Sequence, residues 1–210
     1  MRPAFELDDV SLLAGGVAIL DGVTLSIASD GITVICGPSG SGKSTLLRLC
    51  NRLEVPSRGC VRYRGDDVAD LDPLLLRRRV GMVFQRPTLF AGTVRDNLEV
   101  ALPGERDDVF ASALGRAALP GSFLDRDGGS LSGGEAQRVC LARTLVTEPE
   151  ALLVDESTSS LDVDNTMLLE RTARDLANQG TTVLWVTHDL AQAGRIADQI
   201  VKLDKGKVVG

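Results

Sequence analysis

A glycine-rich segment between a short apolar run and a leucine-rich stretch has the residues needed to hold phosphate groups. The segment consists of Gly37, Pro38, Ser39, Gly40, Ser41, Gly42, Lys43, Ser44 and Thr45. This order matches G-x-x-x-x-G-K-[ST], in which glycines let backbone N–H groups point at phosphate oxygens and a helix N-terminus adds partial positive charge. We expect Lys43 to contact the β- and γ-phosphates, Ser44 to bind Mg²⁺ and Thr45 to reach the α-phosphate. A glycine-rich turn without phosphate is the alternative, and the flanking strand and helix patterns argue against it.

Two adjacent carboxylates end an apolar run further along the chain. Residues 151–154 are all apolar and predict a buried strand, and Asp155 and Glu156 follow directly. Because successive strand residues point to opposite faces, we expect the two carboxylates to have different tasks. Asp155 suits the Mg²⁺ ion, and Glu156 suits the attacking water, as its general base. The alternative is that the two carboxylates only end an exposed strand and have no catalytic role. The phosphate segment upstream argues against this alternative.

A pentapeptide distinguishes among the families that share such a phosphate loop, which include kinases, GTPases and helicases. It consists of Leu131, Ser132, Gly133, Gly134 and Glu135. A specified pentapeptide arises by chance in a chain of this length about once in 10⁴ sequences. It resembles the signature motif of ABC ATPases. Its serine hydroxyl, glycine N–H groups and helix N-terminus also suit an anion.

Further motifs of that family follow in the family's order, so the resemblance covers nearly the whole chain. Gln85 matches the Q-loop glutamine, which in the family contacts the metal and the lytic water. His188 matches the switch histidine, which senses the γ-phosphate. Asp162 belongs to a stretch that resembles the D-loop, which crosses to a partner subunit: Ser159, Ser160, Leu161 and Asp162. The resemblance thus implies three catalytic residues, Glu156, His188 and Gln85, and three metal ligands, Ser44, Gln85 and Asp155.

The resemblance also implies ATP and Mg²⁺ as cofactors and two kinds of partner. A second copy of the chain would cover ATP on Lys43 with its own Ser132 and Gly134, and a homodimer is expected because one chain has every motif. A separate membrane permease would contact the region after Gln85, within residues 86–98. The protein would then lie at the cytoplasmic face of the inner membrane. Short sequence segments also resemble a compact bacterial group described as iron-export or phosphate-transport ATPases. These segments are residues 12–15, 85–90, 93–98 and 183–189.

Charge and hydropathy restrict the alternatives. The formal net charge of −6 argues against sequence-independent binding of nucleic acid, which needs a basic face. The longest apolar runs, such as residues 151–154 and 182–186, have strand length, whereas a membrane-spanning helix needs about 20 apolar residues. The main alternative is a non-transport ABC ATPase acting on DNA or in translation, although coiled-coil arms and zinc modules are lacking. A small-molecule kinase and a non-catalytic regulatory subunit are weaker alternatives.

The elements that must position these residues predict an α/β P-loop NTPase fold. Patterns typical of buried strands alternate with helical patterns, which indicates a mostly parallel sheet covered on both faces. The strand patterns lie at residues 33–36, 80–84, 151–154, 182–186 and 200–203. Short β patterns at 5–7, 18–27 and 61–64 predict a small N-terminal antiparallel lobe. Ala/Leu-rich helical patterns predict an inserted helical lobe at about 87–148. We therefore expect a single domain, 1–210, whose β lobe and RecA-like core occupy about 1–86 and 149–210.

Two positions depart from the family pattern. The family usually has an aromatic residue that stacks on adenine, and Ala14 stands at about that position. We therefore hypothesise that Leu13, Ala14 and neighbouring apolar groups hold the base loosely, with a relaxed preference for ATP over GTP. Ser157 stands where the family commonly has proline, and we attach no functional consequence to it.

Overall fold

The computed structural model describes residues 2–159 and 161–209, and their strands form two sheets. The strands are β1 Phe5–Ala14, β2 Val17–Ile27, β3 Ile32–Cys36, β4 Arg58–Tyr63, β5 Asp66–Asp67, β6 Val80–Val83, β7 Ala151–Asp155, β8 Thr182–Thr187, β9 Gln199–Asp204 and β10 Lys207–Val209. The α-helices are α1 Lys43–Cys50, α2 Pro73–Arg79, α3 Val94–Glu99, α4 Asp107–Arg116, α5 Gly133–Leu145, α6 Val163–Asn178 and α7 Leu190–Ile196. Short 3₁₀ helices, Gly121–Asp125 and Gly128–Ser130, lie between α4 and α5.

The larger sheet has the strand order β10-β9-β3-β8-β7-β6, and all of its pairings are parallel except that of β10 with β9. Every residue of β3, β7 and β8 is buried, which explains their continuous apolar runs. The predicted mostly parallel sheet is confirmed. In the register of the sheet, Cys36 lies opposite Thr187 and Asp155 lies opposite Val186. The loops that follow these three strands therefore emerge side by side at one edge.

The smaller sheet is antiparallel, with the order β2-β1-β4-β5, as predicted for the N-terminal part. Its first strand is longer than the predicted residues 5–7. The pairing of β1 with β2 shifts between Leu7 and Val10, and Asp9 has a φ of 49°, so the alternation of apolar and polar residues breaks there. Apolar side chains of this sheet share one core cluster with Leu46 of α1 and Leu184 of β8. The small sheet therefore packs over the helix that follows the phosphate segment.

The segment between β6 and β7 is rich in helices. Its last helix, α5, packs Val139 and Leu141 against the core that includes Val83, Leu152 and Trp185. A helical region was expected here, and its proposed limits at 87 and 148 stay a prediction. Across the described ranges, no helix has the length and apolar character required to span a membrane.

Candidate functional site

The glycine segment forms the turn between β3 and α1. Gly42 has a φ of 100°, and a Cβ there would lie 2.7 Å from Leu20 Cδ2 and 2.8 Å from the carbonyl oxygen of Ile19. Glycine is therefore required for both conformation and space. Gly42 also caps α1 without a side-chain hydrogen bond. The N–H groups of the first turn of α1 are thus left for an anion.

The cradle inside this turn has donors that suit phosphate. Lys43 is 4% exposed, and its Nζ donates to the carbonyl oxygens of Gly37 and Pro38, both at 2.9 Å. The Oγ of Ser41 is buried and has no hydrogen-bond partner within the described part of the chain. Phosphate oxygens accept hydrogen bonds and carry negative charge. A buried ammonium and an unpartnered hydroxyl in the same loop fit such a group.

Ser44 and Asp155 form the oxygen-rich side of the site. The Ser44 hydroxyl donates to Asp155 Oδ1 at 2.6 Å. Burial at the end of β7 raises the pKa of Asp155, although the hydrogen bond from Ser44 acts in the opposite direction. A divalent cation favours the ionised carboxylate, and Mg²⁺ prefers oxygen ligands. The pair therefore fits the predicted metal position.

Glu156 lies between two nitrogen groups. Its Oε1 is 3.4 Å from Lys43 Nζ, and its Oε2 is 3.5 Å from His188 Nδ1. The strand β7 ends at Asp155, and Glu156 has a φ of 41° with its N–H donated to the carbonyl of Val186. A turn, rather than strand alternation, therefore sends the two carboxylates in different directions. The structure brings together Lys43, Ser44, Asp155, Glu156 and His188 as the sequence analysis expected.

Within the described ranges, Gln85 makes no hydrogen bond to Ser44 or Asp155, the other two predicted metal ligands. Its Nε2 donates to Ser159 Oγ at 3.4 Å, which places it against the loop after Glu156. Asp162, from the same predicted loop, instead caps α6 and accepts from the backbone N–H and the Nδ2 of Asn165, both at 2.8 Å. These hydrogen bonds lower the pKa of Asp162. Ser160, which we assigned to this loop, lies outside the described residues.

The signature residues form the N-terminus of α5. Ser132 and Glu135 make a capping box, in which Glu135 accepts from the Ser132 N–H at 2.8 Å and the Ser132 hydroxyl accepts from the Glu135 N–H at 3.3 Å. With Arg126 at 2.7 Å, these contacts lower the pKa of Glu135 to about 2, and the bond from the Ser132 backbone contributes most. Glu135 therefore stabilises the helix end on which the signature motif lies. The S-x-x-E spacing, which is typical of a capping box, would have predicted this contact.

The signature residues are not joined to the phosphate segment of their own chain. Over the described residues, no hydrogen bond or ion pair connects 131–135 with 37–45. The start of α5 packs instead against α6, since a Cβ at Gly134 would lie 2.8 Å from Asn165. The chain thus carries two segments predicted to bind anions, and within the described residues they are not bonded to each other.

A buried polar network behind the site was missed by the sequence analysis. Gln192 of α7 donates to Glu170 Oε1 at 2.9 Å and to Thr158 Oγ1 at 3.2 Å, and it accepts from Trp185 Nε1 at 3.3 Å. This network fixes the loop after Glu156 to the helix after His188. Its members are distant in sequence, and no motif spacing connects them.

Comparisons with known proteins agree with this geometry. A family model described as ABC transporter matches residues 20–159. ABC transporter I family member 17 of Arabidopsis thaliana is 44% identical over 99% of this chain and 81% of its own. The phosphate import ATP-binding protein PstB of Thermotoga maritima is 39% identical over 100% of this chain and 90% of its own. The probable iron export ATP-binding protein FetA of Escherichia coli is 39% identical over 96% of this chain and 91% of its own.

A solved structure has the same fold. The chain cbiO1 of Clostridium perfringens, described as part of the ABC transporter complex cbiONQ, superposes with a TM-score of 0.90 at 25% identity. The match covers 100% of this chain and 88% of the other.

Proposed function

Because this chain belongs to the ABC transporter family of ATP-binding proteins, we propose that two copies of it close on ATP beneath a separate membrane permease. The chain is an ATPase subunit that energises transport, as residues 131–135 predicted. The observation that supports the pairing is that the two predicted anion sites are not joined. Lys43 and Glu156 lie at one sheet edge, whereas Ser132 has no bond to either of them in the described part of the chain. A second copy supplies Ser132 and Gly134 to the first.

Binding begins at the phosphate segment. The backbone N–H groups of Gly37 and of residues 39–45 surround the phosphates. Lys43 exchanges the carbonyls of Gly37 and Pro38 for the β- and γ-phosphate oxygens. Ser44 and Asp155 would hold Mg²⁺, which would supply positive charge to offset that of the phosphate oxygens. The assignment of Gln85 to the metal requires its side chain to leave Ser159.

Hydrolysis uses the groups around Glu156. Its carboxylate accepts a proton from the attacking water, and the nearby Lys43 ammonium offsets its negative charge. In this proposal His188 contacts the γ-phosphate, which is supported by the 3.5 Å distance between its Nδ1 and Glu156 Oε2. The network of Gln192 and Thr158 holds the loop after Glu156 in place. When the γ-phosphate is cleaved, the contact that joins the two copies is lost.

The permease has a suitable docking surface next to Gln85. A groove of about 590 Å³ runs between α2, the start of the β6–α3 segment and α5. We call it the docking groove, and its lining includes the exposed apolar side chains Leu53, Leu74, Phe84, Phe90 and Val100 and the basic side chains Arg77, Arg78, Arg86 and Arg143. An apolar groove with a basic rim suits a short amphipathic helix of a membrane protein. We therefore propose that the chain lies at the cytoplasmic face of the inner membrane.

The names of similar proteins are the basis for a proposal about the cargo. Their names include phosphate import and iron export, which are both movements of small inorganic ions. We therefore propose a small inorganic ion as the cargo, selected by the permease.

The role of Glu156 gives the first prediction. Glu156→Gln removes the proton acceptor but keeps the size of the side chain, so kcat for ATP falls about 10²- to 10⁴-fold while ATP binding is retained. Steady-state phosphate release and equilibrium ATP binding measure the two effects. Glu148→Gln, on an exposed turn before β7, is the matched control and keeps the wild-type rate. Wild-type turnover in Glu156→Gln would remove Glu156 from the role.

The base position gives the second prediction. Ala14 pairs with Val17 at the tip of the β1–β2 hairpin, where Leu13 and Val17 are 57% and 64% exposed. Ala14→Tyr adds a stacking surface worth about 1–3 kcal/mol, so affinity for ATP rises about 5- to 150-fold. Calorimetric titration with ATP and GTP measures this, and Ala69→Tyr, at an exposed position after β5, is the control. A strong ATP preference in the wild-type chain would contradict the relaxed specificity.

The permease gives the third prediction. Tagged Glu156→Gln protein, purified with ATP from gently solubilised membranes of its host, brings down a polytopic membrane protein in near-equal amount. Mass spectrometry identifies that protein, and the same preparation without ATP is the control for nucleotide-dependent retention. Reproducible recovery of soluble partners alone would contradict the transporter assignment and favour a non-transport ABC ATPase.

A further inference from the structure

One face of α5 holds the segment that follows β6. Gln137, Cys140 and Arg143 are spaced three residues apart, so they lie along the same side of the helix. Gln137 Nε2 donates to the carbonyl of Phe84 at 3.0 Å. The carbonyl of Thr88 accepts from Arg143 Nη2 at 2.8 Å and from Cys140 Sγ at 3.7 Å. Residues 84 and 88, on either side of Gln85, are therefore both bonded to one helix.

Arg143 makes additional contacts to this segment. Its Nη1 donates to Asn97 Oδ1 at 3.3 Å, and its guanidinium lies 5.0 Å from the ring centroid of Phe90. Asn97 is fully buried, accepts from the Phe90 N–H at 2.8 Å and donates to the Phe90 carbonyl at 3.1 Å. The backbone and ring of Phe90 are thus fixed from α5 and α3 together. A single guanidinium contacts Thr88, Phe90 and Asn97, which a lysine ammonium is unable to reproduce.

The same helix also carries the signature motif. Ser132 caps its N-terminus, and Arg143 lies 11 residues later, which corresponds to about 16 Å along the axis of an α-helix. Phe84, Thr88 and Phe90 line the docking groove. One rigid element therefore joins the end that faces the second copy's ATP to one wall of the docking groove.

We propose that Arg143 is a positioning residue that couples the seating of ATP on Ser132 to the shape of the docking groove. The inference rests on the proposed function, because it assumes an ATP shared between copies and a permease in the groove. When ATP draws Ser132 toward the second copy, α5 moves as a unit. Thr88 and Phe90 follow, because Arg143 bonds the first and covers the ring of the second. Without Arg143, α5 moves but Thr88 and Phe90 do not move with it.

A purely structural role for Arg143 makes a different prediction. Arg116 of α4 offers the comparison, because its Nη1 donates to the carbonyl of Leu145 at 3.4 Å, also at the C-terminal end of α5. Arg116 and Arg143 are both half-buried, and Arg116 does not line the docking groove. A general loss of helix support would affect both arginines alike. A coupling role affects Arg143 alone.

The experiment compares wild type, Arg143→Lys, Arg143→Leu and Arg116→Leu. Each ATPase is assembled with the co-purified permease in proteoliposomes, with inorganic phosphate and ferrous ion as cargo probes. ATP hydrolysis is measured with and without the permease and is normalised to the amount of bound chain. We expect unchanged KM for ATP and unchanged permease-free turnover in Arg116→Leu, and the stimulation of each variant is expressed relative to its own permease-free rate. We also expect permease stimulation to fall about 5- to 150-fold in both Arg143 variants and to stay at the wild-type level in Arg116→Leu.

Wild-type stimulation in Arg143→Leu would overturn the inference while leaving the proposed function in place. Equal losses in Arg116→Leu and Arg143→Leu would overturn it as well, because they indicate general support of α5. A wild-type complex without stimulation by the permease would contradict the proposed function itself.

Discussion

The charge of Lys43 is the constraint on which the rest of the structure depends. An ammonium that is 4% exposed is costly unless it is paired, and this chain pairs it with two loop carbonyls and with Glu156. Those partners come from two different strand ends, after β3 and after β7. They meet because β3, β8 and β7 are adjacent and parallel, so that their carboxyl ends share one edge. The buried strands thus place a positive charge inside the predicted phosphate segment.

Much of this arrangement could be predicted from sequence, because buried parallel strands are continuous apolar runs and the phosphate loop has a fixed spacing. The strand β7 was predicted in this way, and Lys43, Ser44 and Asp155 were assigned to the predicted site on the same basis. The length of β1 was underestimated, since the irregular backbone near Asp9 interrupts the alternation on which a strand prediction relies. Contacts between distant residues had no sequence signal at all. Gln192 and Thr158 are an example, because only the fold brings them together.

The residues of the signature motif also stabilise the helix on which they lie. Ser132 and Glu135 satisfy the ordinary requirements of a helix N-terminus, and their capping box gives the signature motif a defined backbone. The face of α5 that carries Gln137 and Arg143 holds the segment around Gln85 by its carbonyl groups. The catalytic edge, the signature helix and the docking groove are therefore parts of one continuous packing arrangement. The proposed coupling therefore relies on these direct contacts rather than on a flexible linker.

The central claim is that each ATP is bound by the phosphate loop of one copy and the signature residues of another. The most direct measurement mixes two inactive variants, Lys43→Ala and Ser132→Arg, and follows ATP hydrolysis. In a mixed pair, one site combines both defects, while the other combines the intact Lys43 of one copy with the intact Ser132 of the other. The shared-site mechanism predicts that the mixture regains activity that neither variant has alone. A mixture as inactive as its components, with mixed pairs demonstrated by native mass spectrometry, would contradict it.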